Sequence, residues 1–363
     1  MKIFIVHASA GAGHERSAQA IYNYFKEHCA SSDVRIIDVL DKTSPPFKKF
    51  YSWGYLFLIN HATWAWLVSF WLTSLECLKP VNDLLNFLID RLNAREFSEF
   101  LIRENPDHVI TTHFMPSEIT AYLKKKAVIK SKLTTVVTDF AVHPFWIYEG
   151  TDIYVVASDF AKNQLMSAGV KEEQVKESGI PVDAKFFLKY DRSALADKFG
   201  VAKDKFTCLL VTGSFGLGPI EEIVELLYKD MQILVVCARN KALYQRLAEK
   251  NYPAVSVFGF VNNIEEMMAA SDIIITKPGG LTIAEVLAIG LAPVFISPIP
   301  GQETKNIEVL QRYGIGDTAS SLSRLKEIIL DYKNRPDKLA KIKNNMLSLR
   351  KPYAAKDLCH AIC

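Results

Sequence analysis

A chain of 363 residues with 49% hydrophobic content is long enough to build two cored domains and too apolar to stay disordered. Its 43 basic and 40 acidic residues leave a formal charge of +3, which excludes a nucleic-acid footprint or an acidic-substrate funnel spread over the whole protein. Six scattered cysteines (Cys29, Cys77, Cys208, Cys237, Cys359, Cys363), without a CxxC or a Cys/His cluster at ligand spacing, predict reduced thiols in a cytoplasmic setting and no metal site.

The first predicted element is a strand over Lys2–His7, with one Lys and a short apolar run rather than a signal-peptide pattern. It runs into Ser9-Ala-Gly-Ala-Gly-His14 and then a helix from near Glu15, a turn whose glycines let backbone N–H groups approach a ligand. A dinucleotide site would want Gly or Ala where Arg16 stands, and Asp38 at the end of the next strand, Val34–Asp38, is weak support, so a dehydrogenase is rejected. His14 remains. At a helix N-terminus its ring is kept neutral, which suits a general base, against a reading of it as a capping or core histidine.

Trp53 to Leu72 is nearly all apolar and carries Trp53, Trp64, Trp66 and Trp71. Its length would allow a membrane span, but it falls between strands of one predicted domain, and a crossing would divide that sheet. An interfacial element is expected instead, with Lys42, Lys48, Lys49 and Lys79 adding attraction to anionic lipid. A buried helical hairpin is the alternative.

Strands over His108–Thr112, Leu133–Thr138 and Ile153–Ala157 complete the N-terminal half. The stretch Ser178 to Asp204, with Gly179, Pro181 and mixed charge, is expected to be the interdomain linker. Beyond it, strands are predicted over Phe206–Thr212, Gln232–Cys237, Val255–Phe258, Ile273–Thr276 and Pro293–Ile296, each followed by a turn and a helical pattern. An α/β fold of two Rossmann-like domains follows, with an N-terminal domain over 1–180, a C-terminal domain over 200–350, a helix near 353–363 packing back on the first, and a cleft facing both sets of strand ends.

In the second half, Gly279-Gly280 forms a strand-to-helix turn that offers free N–H groups to an anion, and a nucleotide diphosphate is its natural occupant without a metal. Glu285, one turn into that helix, suits ribose hydroxyls or is an ordinary solvated carboxylate. The loop Pro298 to Glu303 brings Gln302, Glu303 and then Asn306 to the same edge, amide and carboxylate groups that suit a sugar. Gly213 to Gly218 adds another Gly-rich turn.

Taken together, SAGAGHERSAQAI (9–21), VVTDFAVHPFW (136–146), SGIPVDAKF (178–186), VCARNKAL (236–243), the long VFGFVNNIEEMMAASDIIITKPGGLTIAE run and PIPGQE resemble the monogalactosyldiacylglycerol synthase and processive diacylglycerol glucosyltransferase family over almost the whole chain. That resemblance implies a GT-B fold, an inverting transfer, a UDP-sugar held by the C-terminal domain and a lipid acceptor held by the N-terminal one. It implies His14 as base, Gly279, Gly280 and Thr282 as phosphate turn, and Glu285 as ribose ligand. It also implies Phe260 and Val261 as the uracil-reading backbone, Gln302, Glu303 and Asn306 as donor-sugar loop, and Arg239 facing the nucleotide. Asp139 and His143 become candidate site-lining residues, against a reading of Asp139 as a cap and His143 as a surface ring before Pro144.

The expectation is therefore a hexosyltransferase acting on a lipid such as diacylglycerol, peripherally bound to the inner face of the membrane, without a cofactor. An epimerase acting on UDP-N-acetylglucosamine without hydrolysis, and a noncatalytic UDP-sugar sensor, are the rivals.

Overall fold

A computed structural model describes residues 1–9, 11–29, 31–74 and 93–363. The chain forms two compact units, one of residues 1–183 with 299–305 and 351–363, the other of residues 184–298 with 306–350. Each is built on a six-stranded parallel sheet.

In the first unit β1 (Lys2–His7), β2 (Asp33–Asp38), β3 (His108–Thr111), β4 (Lys132–Val136), β5 (Ile153–Val155) and β6 (Val175–Lys176) lie in the order β2-β1-β3-β4-β5-β6. All pairings are parallel, with Ile3 opposite Val34 on one side and His108 on the other. Both faces are covered, and this is why β1 reads as an unbroken apolar run. Ile3 and Ile5 pack with Ala18, Ile21 and Phe25 of α1 (Ala12–His28) and Leu358 of the C-terminal helix Ala354–Ile362. Phe4 and Val6 face the other way, onto Val39, Leu40, Phe97, Leu101 and Met115. Those partners come from the 3-10 turn Val39–Lys42, α4 (Arg95–Glu104) and α5 (Phe114–Lys125), while α2 (Pro45–His61) and α3 (Thr63–Ser74) carry the aromatic segment. The nine-residue helix after β5 is α6 (Asp159–Ser167), capped by the Ser158 hydroxyl accepting from Ala161 N–H.

The second unit holds β7 (Thr207–Val211), β8 (Gln232–Val236), β9 (Val255–Phe258), β10 (Ile273–Thr276), β11 (Ala292–Ile296) and β12 (Asp317–Ala319), ordered β12-β11-β10-β7-β8-β9. Its helices are α7 (Arg192–Phe199), α8 (Ile220–Leu227), α9 (Lys241–Lys250), α10 (Ile264–Ala270), α11 (Gly280–Ile289), α12 (Gln302–Arg312, whose first turn belongs to the other unit), α13 (Leu322–Asn334) and α14 (Pro336–Met346). The C-terminal helix of the first unit is α15 (Ala354–Ile362).

Three expectations need correction. The stretch Ser178–Asp204 is no plain linker: the division falls at Asp183–Ala184, and α7 follows because the Asp191 carboxylate accepts from Ser193 N–H and Leu195, Ala196 and Phe199 are buried. β6 and β12 escape sequence reading because two or three residues carry no period. The cysteines are not all scattered either. α15 packs on α1 and brings the sulfurs of Cys29, Cys359 and Cys363 within 4.8 Å of one another; Cys77 lies outside the described residues.

Candidate active site

In the first unit the chain leaves β1 for β2 on one side and returns to β3 on the other, so the carboxyl ends of β1 and β3 form the crevice in which such sheets hold ligands. The loop after β1 ends at Gly11, the N-cap of α1, which supplies no side-chain cap and leaves the first-turn N–H groups for other partners. His14 sits in that turn. Its Nδ1 lies 2.7 Å from the Thr112 carbonyl oxygen and 3.0 Å from Thr138 Oγ1, while the Thr112 hydroxyl donates to the His14 carbonyl at 2.9 Å. A carbonyl can only accept, so Nδ1 carries the proton and Nε2 the lone pair. Burial pulls the His14 imidazole down to about 4, against the Thr112 hydrogen bond, which raises it. The ring is neutral at physiological pH.

The surroundings of His14 were not marked in the sequence. His113 stands edge-on to it with ring centres 4.7 Å apart, is buried, accepts from Met115 N–H at the start of α5, and is held well below the usual imidazole range by burial. His7 ends β1 and is buried with Nδ1 lacking a hydrogen-bond partner among the described residues. Thr112 and His113 carry no motif, and Thr138 stands in the 136–146 run without being singled out there, but each lies one or two residues past a strand, the position from which sheet edges build sites.

Asp139 follows Thr138 and is buried; its carboxylate accepts from Gln302 Nε2 at 2.8 Å. Segment Ile299–Lys305, to which Gln302 and Glu303 belong, is part of the first unit, and Glu303 folds back on its own loop to accept from Ile299 N–H at 2.7 Å. His143 is the N-cap of the 3-10 turn Pro144–Trp146, its Nδ1 accepting from Phe145 N–H at 3.2 Å. Its ring packs 4.5 Å from Phe70 and burial lowers it to about 4, so it is a packed capping group rather than a surface ring.

In the second unit the switch point lies between β7 and β10. Gly279 is the N-cap of α11, extended and without side-chain capping, so the helix opens with uncommitted donors. Thr282 is half-buried in the first turn. Glu285 is only 3% exposed, which removes the reading of it as a solvated carboxylate. Asn306, fully buried, donates through Nδ2 to the Pro278 carbonyl at 3.2 Å and braces the same turn. After β7, Gly213 takes φ 85°, and Gly216 takes φ 59° with its Cα so near the next loop that a Cβ would lie 2.3 Å from the Cys237 carbonyl oxygen. Arg239 N–H donates to the Ser214 carbonyl, and its guanidinium lies 6.0 Å from the Phe215 ring and 5.8 Å from the Phe260 ring. The loops after β7, β8 and β9 thus converge through Arg239. Phe260 is largely exposed and Val261 half-buried.

The aromatic segment is a helix pair. Trp53, Trp64 and Trp71 are 59%, 74% and 58% exposed, which overturns the buried-hairpin alternative for these side chains. The Trp66 side chain and Lys79 lie outside the described residues. Among the described residues no helix is long and apolar enough to cross a membrane. Lys42 is paired with Glu96 at 3.2 Å and Lys48 with Asp41, so two of the expected lipid-facing cations are already neutralised.

These two Rossmann-like parallel sheets give the chain a GT-B architecture. Residues 14–182 match the family model of monogalactosyldiacylglycerol (MGDG) synthase and residues 208–358 that of the glycosyltransferase family 28 C-terminal domain. A processive diacylglycerol beta-glucosyltransferase of Bacillus cereus is 32% identical over 99% of this chain and 93% of its own. The chain belongs to this diacylglycerol glycosyltransferase family. Among solved structures, MurG of Acinetobacter baumannii is similar at TM-score 0.60 and 14% identity, covering 99% of both chains. UDP-GlcNAc 2-epimerase of Neisseria meningitidis is similar at TM-score 0.65 and 12% identity, covering 100% of this chain and 99% of its own, a likeness of fold.

Proposed function

We propose that this chain transfers a hexose from a UDP-sugar to the hydroxyl of a diacylglycerol lipid with inversion at the anomeric carbon, while bound peripherally to a membrane. The observation that carries the reading is the fixed tautomer of His14, with Nδ1–H committed to Thr112 and Nε2 left as a base. The acceptor oxygen forms its bond to the anomeric carbon as its proton passes to Nε2, and the bond to the diphosphate oxygen breaks with its electron pair leaving on UDP. The uncapped N-terminus of α11 would receive that charge, Glu285 the ribose, and Arg239 with Phe260 the nucleoside end. Asp139 and Gln302 hold each other, which makes them a positioning pair for the sugar rather than a second base.

The relatives carry glucose in their name, so glucose is the first donor to test. Chemistry seated on a helix N-terminus needs no metal, and transfer should survive EDTA; loss restored by Mg²⁺ or Mn²⁺ would remove the metal-free seat. Labelled UDP-glucose incubated with diacylglycerol vesicles should place label in the organic phase with release of UDP. Loss of UDP without any lipid product, or a donor epimer formed without lipid, would overturn the reading.

The exposed Trp53, Trp64 and Trp71 support membrane contact through apolar area and interfacial aromatics.

A further inference from the structure

Cys29 lies at the end of α1, and its N–H donates to the Phe25 carbonyl at 2.8 Å as the C-cap of that helix. Cys359 and Cys363 are four apart at the end of α15, a spacing that puts both on one helix face. The docking of α15 on α1 turns that face toward Cys29, whose Sγ is 2.9 Å from Sγ of Cys359 and 2.9 Å from Sγ of Cys363. Residues more than three hundred positions apart in sequence are thus gathered at one point.

We propose that Cys29, Cys359 and Cys363 form a three-thiolate site for a thiophilic d¹⁰ cation, of which zinc is the representative, clamping α15 to α1. A disulfide would use Cys29 and one partner and leave the third sulfur idle, whereas a metal uses all three. Ligand sulfurs at the Zn–S distance of about 2.3 Å stand roughly 3.8 Å apart in tetrahedral geometry, and the three Sγ atoms already lie within 4.8 Å of one another. Two are buried and Cys363 is exposed, which gives the ion an entry path and leaves the fourth position to water. Cys29 and Cys363 are also both helix C-caps, and the carbonyl ends of two helices favour positive charge. Binding exchanges three thiol protons for one divalent ion. The site is structural: it sits at the opposite end of the 17-residue α1 from His14, about 20 Å away at 1.5 Å per residue.

The test uses the full chain, reduced and freed of metal, titrated with Cd²⁺ or Co²⁺ as spectroscopic probes and with Zn²⁺ in competition with a chromophoric chelator. One equivalent should bind with a thiolate-to-metal charge-transfer band, and saturating Zn²⁺ should raise the thermal midpoint by mass action. The double variant Cys359→Ser/Cys363→Ser should lose the band and the thermal shift while keeping metal-independent transferase turnover, which shows that it folds. Cys208→Ser should bind as the wild type does. Absence of the band in the reduced chain, its persistence in the double variant, or isolation of the chain without added reductant with Cys29 in a disulfide, lighter by two hydrogens than the reduced form, would overturn the site.

Discussion

Truncating His14 to Ala removes the Nε2 lone pair, and general-base help is typically worth about 10²–10⁴-fold in rate, so kcat should fall by that order. UDP affinity should not change, because the proposed UDP seat and His14 belong to different units. The two hydrogen bonds at Nδ1 add a stability cost of about 1 kcal/mol, small enough for the variant to stay folded. Wild-type turnover in a folded His14→Ala protein would remove His14 from the role of base and send the search to His113, whose ring centre is 4.7 Å away. Glu285→Gln, which keeps shape but removes charge at a nearly buried position, should weaken UDP binding about tenfold by calorimetry. Unchanged affinity would exclude Glu285 from the ribose contact. His14 was legible because a Gly-rich turn announces it; Thr112 and Thr138, which fix its tautomer, were not, since a threonine after a strand has no pattern of its own. Glu285 was half legible, because its spacing from Gly280 places it one turn in but burial is settled only by what packs around α11.

At the scale of elements, the strands were readable almost to the residue where both faces are buried, as in β1 and β8, because continuous apolar runs leave no rival reading. The cysteine cluster and the return of Ile299–Lys305 to the first unit were not readable, because both depend on which helices dock and not on any local pattern. Three properties of these elements are measurable. Replacing Trp53, Trp64 and Trp71 by Ser should release the protein from vesicles with UDP binding intact, since interfacial affinity scales with buried apolar area. Because Lys42 and Lys48 are spent on Glu96 and Asp41, raising salt should release far less protein than the triple substitution; release by salt alone would restore the electrostatic account. Gly216→Ala should destabilise the second unit by about 1–3 kcal/mol, as a left-handed φ and a 2.3 Å approach to the Cys237 carbonyl oxygen coincide there. Its unfolding midpoint in denaturant reads this directly, and an unchanged midpoint would mean the loop shifts at no cost.

For the whole molecule, the eight histidines all belong to the first unit; none falls in residues 184–298 or 306–350. His7, His14, His108, His113 and His143 are each lowered by burial, and His14, His108 and His143 come down to about 4. The unfolded chain binds protons on these rings near the ordinary value of about 6.5, where the folded unit does not. Above that value both states are neutral and no stability depends on the rings. As pH falls from about 6.5 toward 4 the unfolded state takes up more protons, and stability drops by at most about 1.4 kcal/mol per ring for each unit of pH. Of these rings His108 lies outside the proposed site, buried and bonded to Thr134 Oγ1 at 2.8 Å. Several rings acting together amount to a few kcal/mol near pH ~5.5, a large share of a domain's usual stability. The carboxylates of the second unit that are held low by ion pairs, Glu221, Glu225, Glu266 and Asp331, are spared in this window because they titrate further down. Mild acid should therefore unfold the first unit while the second still binds UDP, so that transfer is lost before donor binding. Denaturant unfolding followed between pH ~7 and ~5, alongside UDP calorimetry, reads both. His108→Gln should flatten the pH slope of the first transition, and parallel loss of both units with an unchanged slope in that variant would show that the buried rings do not set the acid limit.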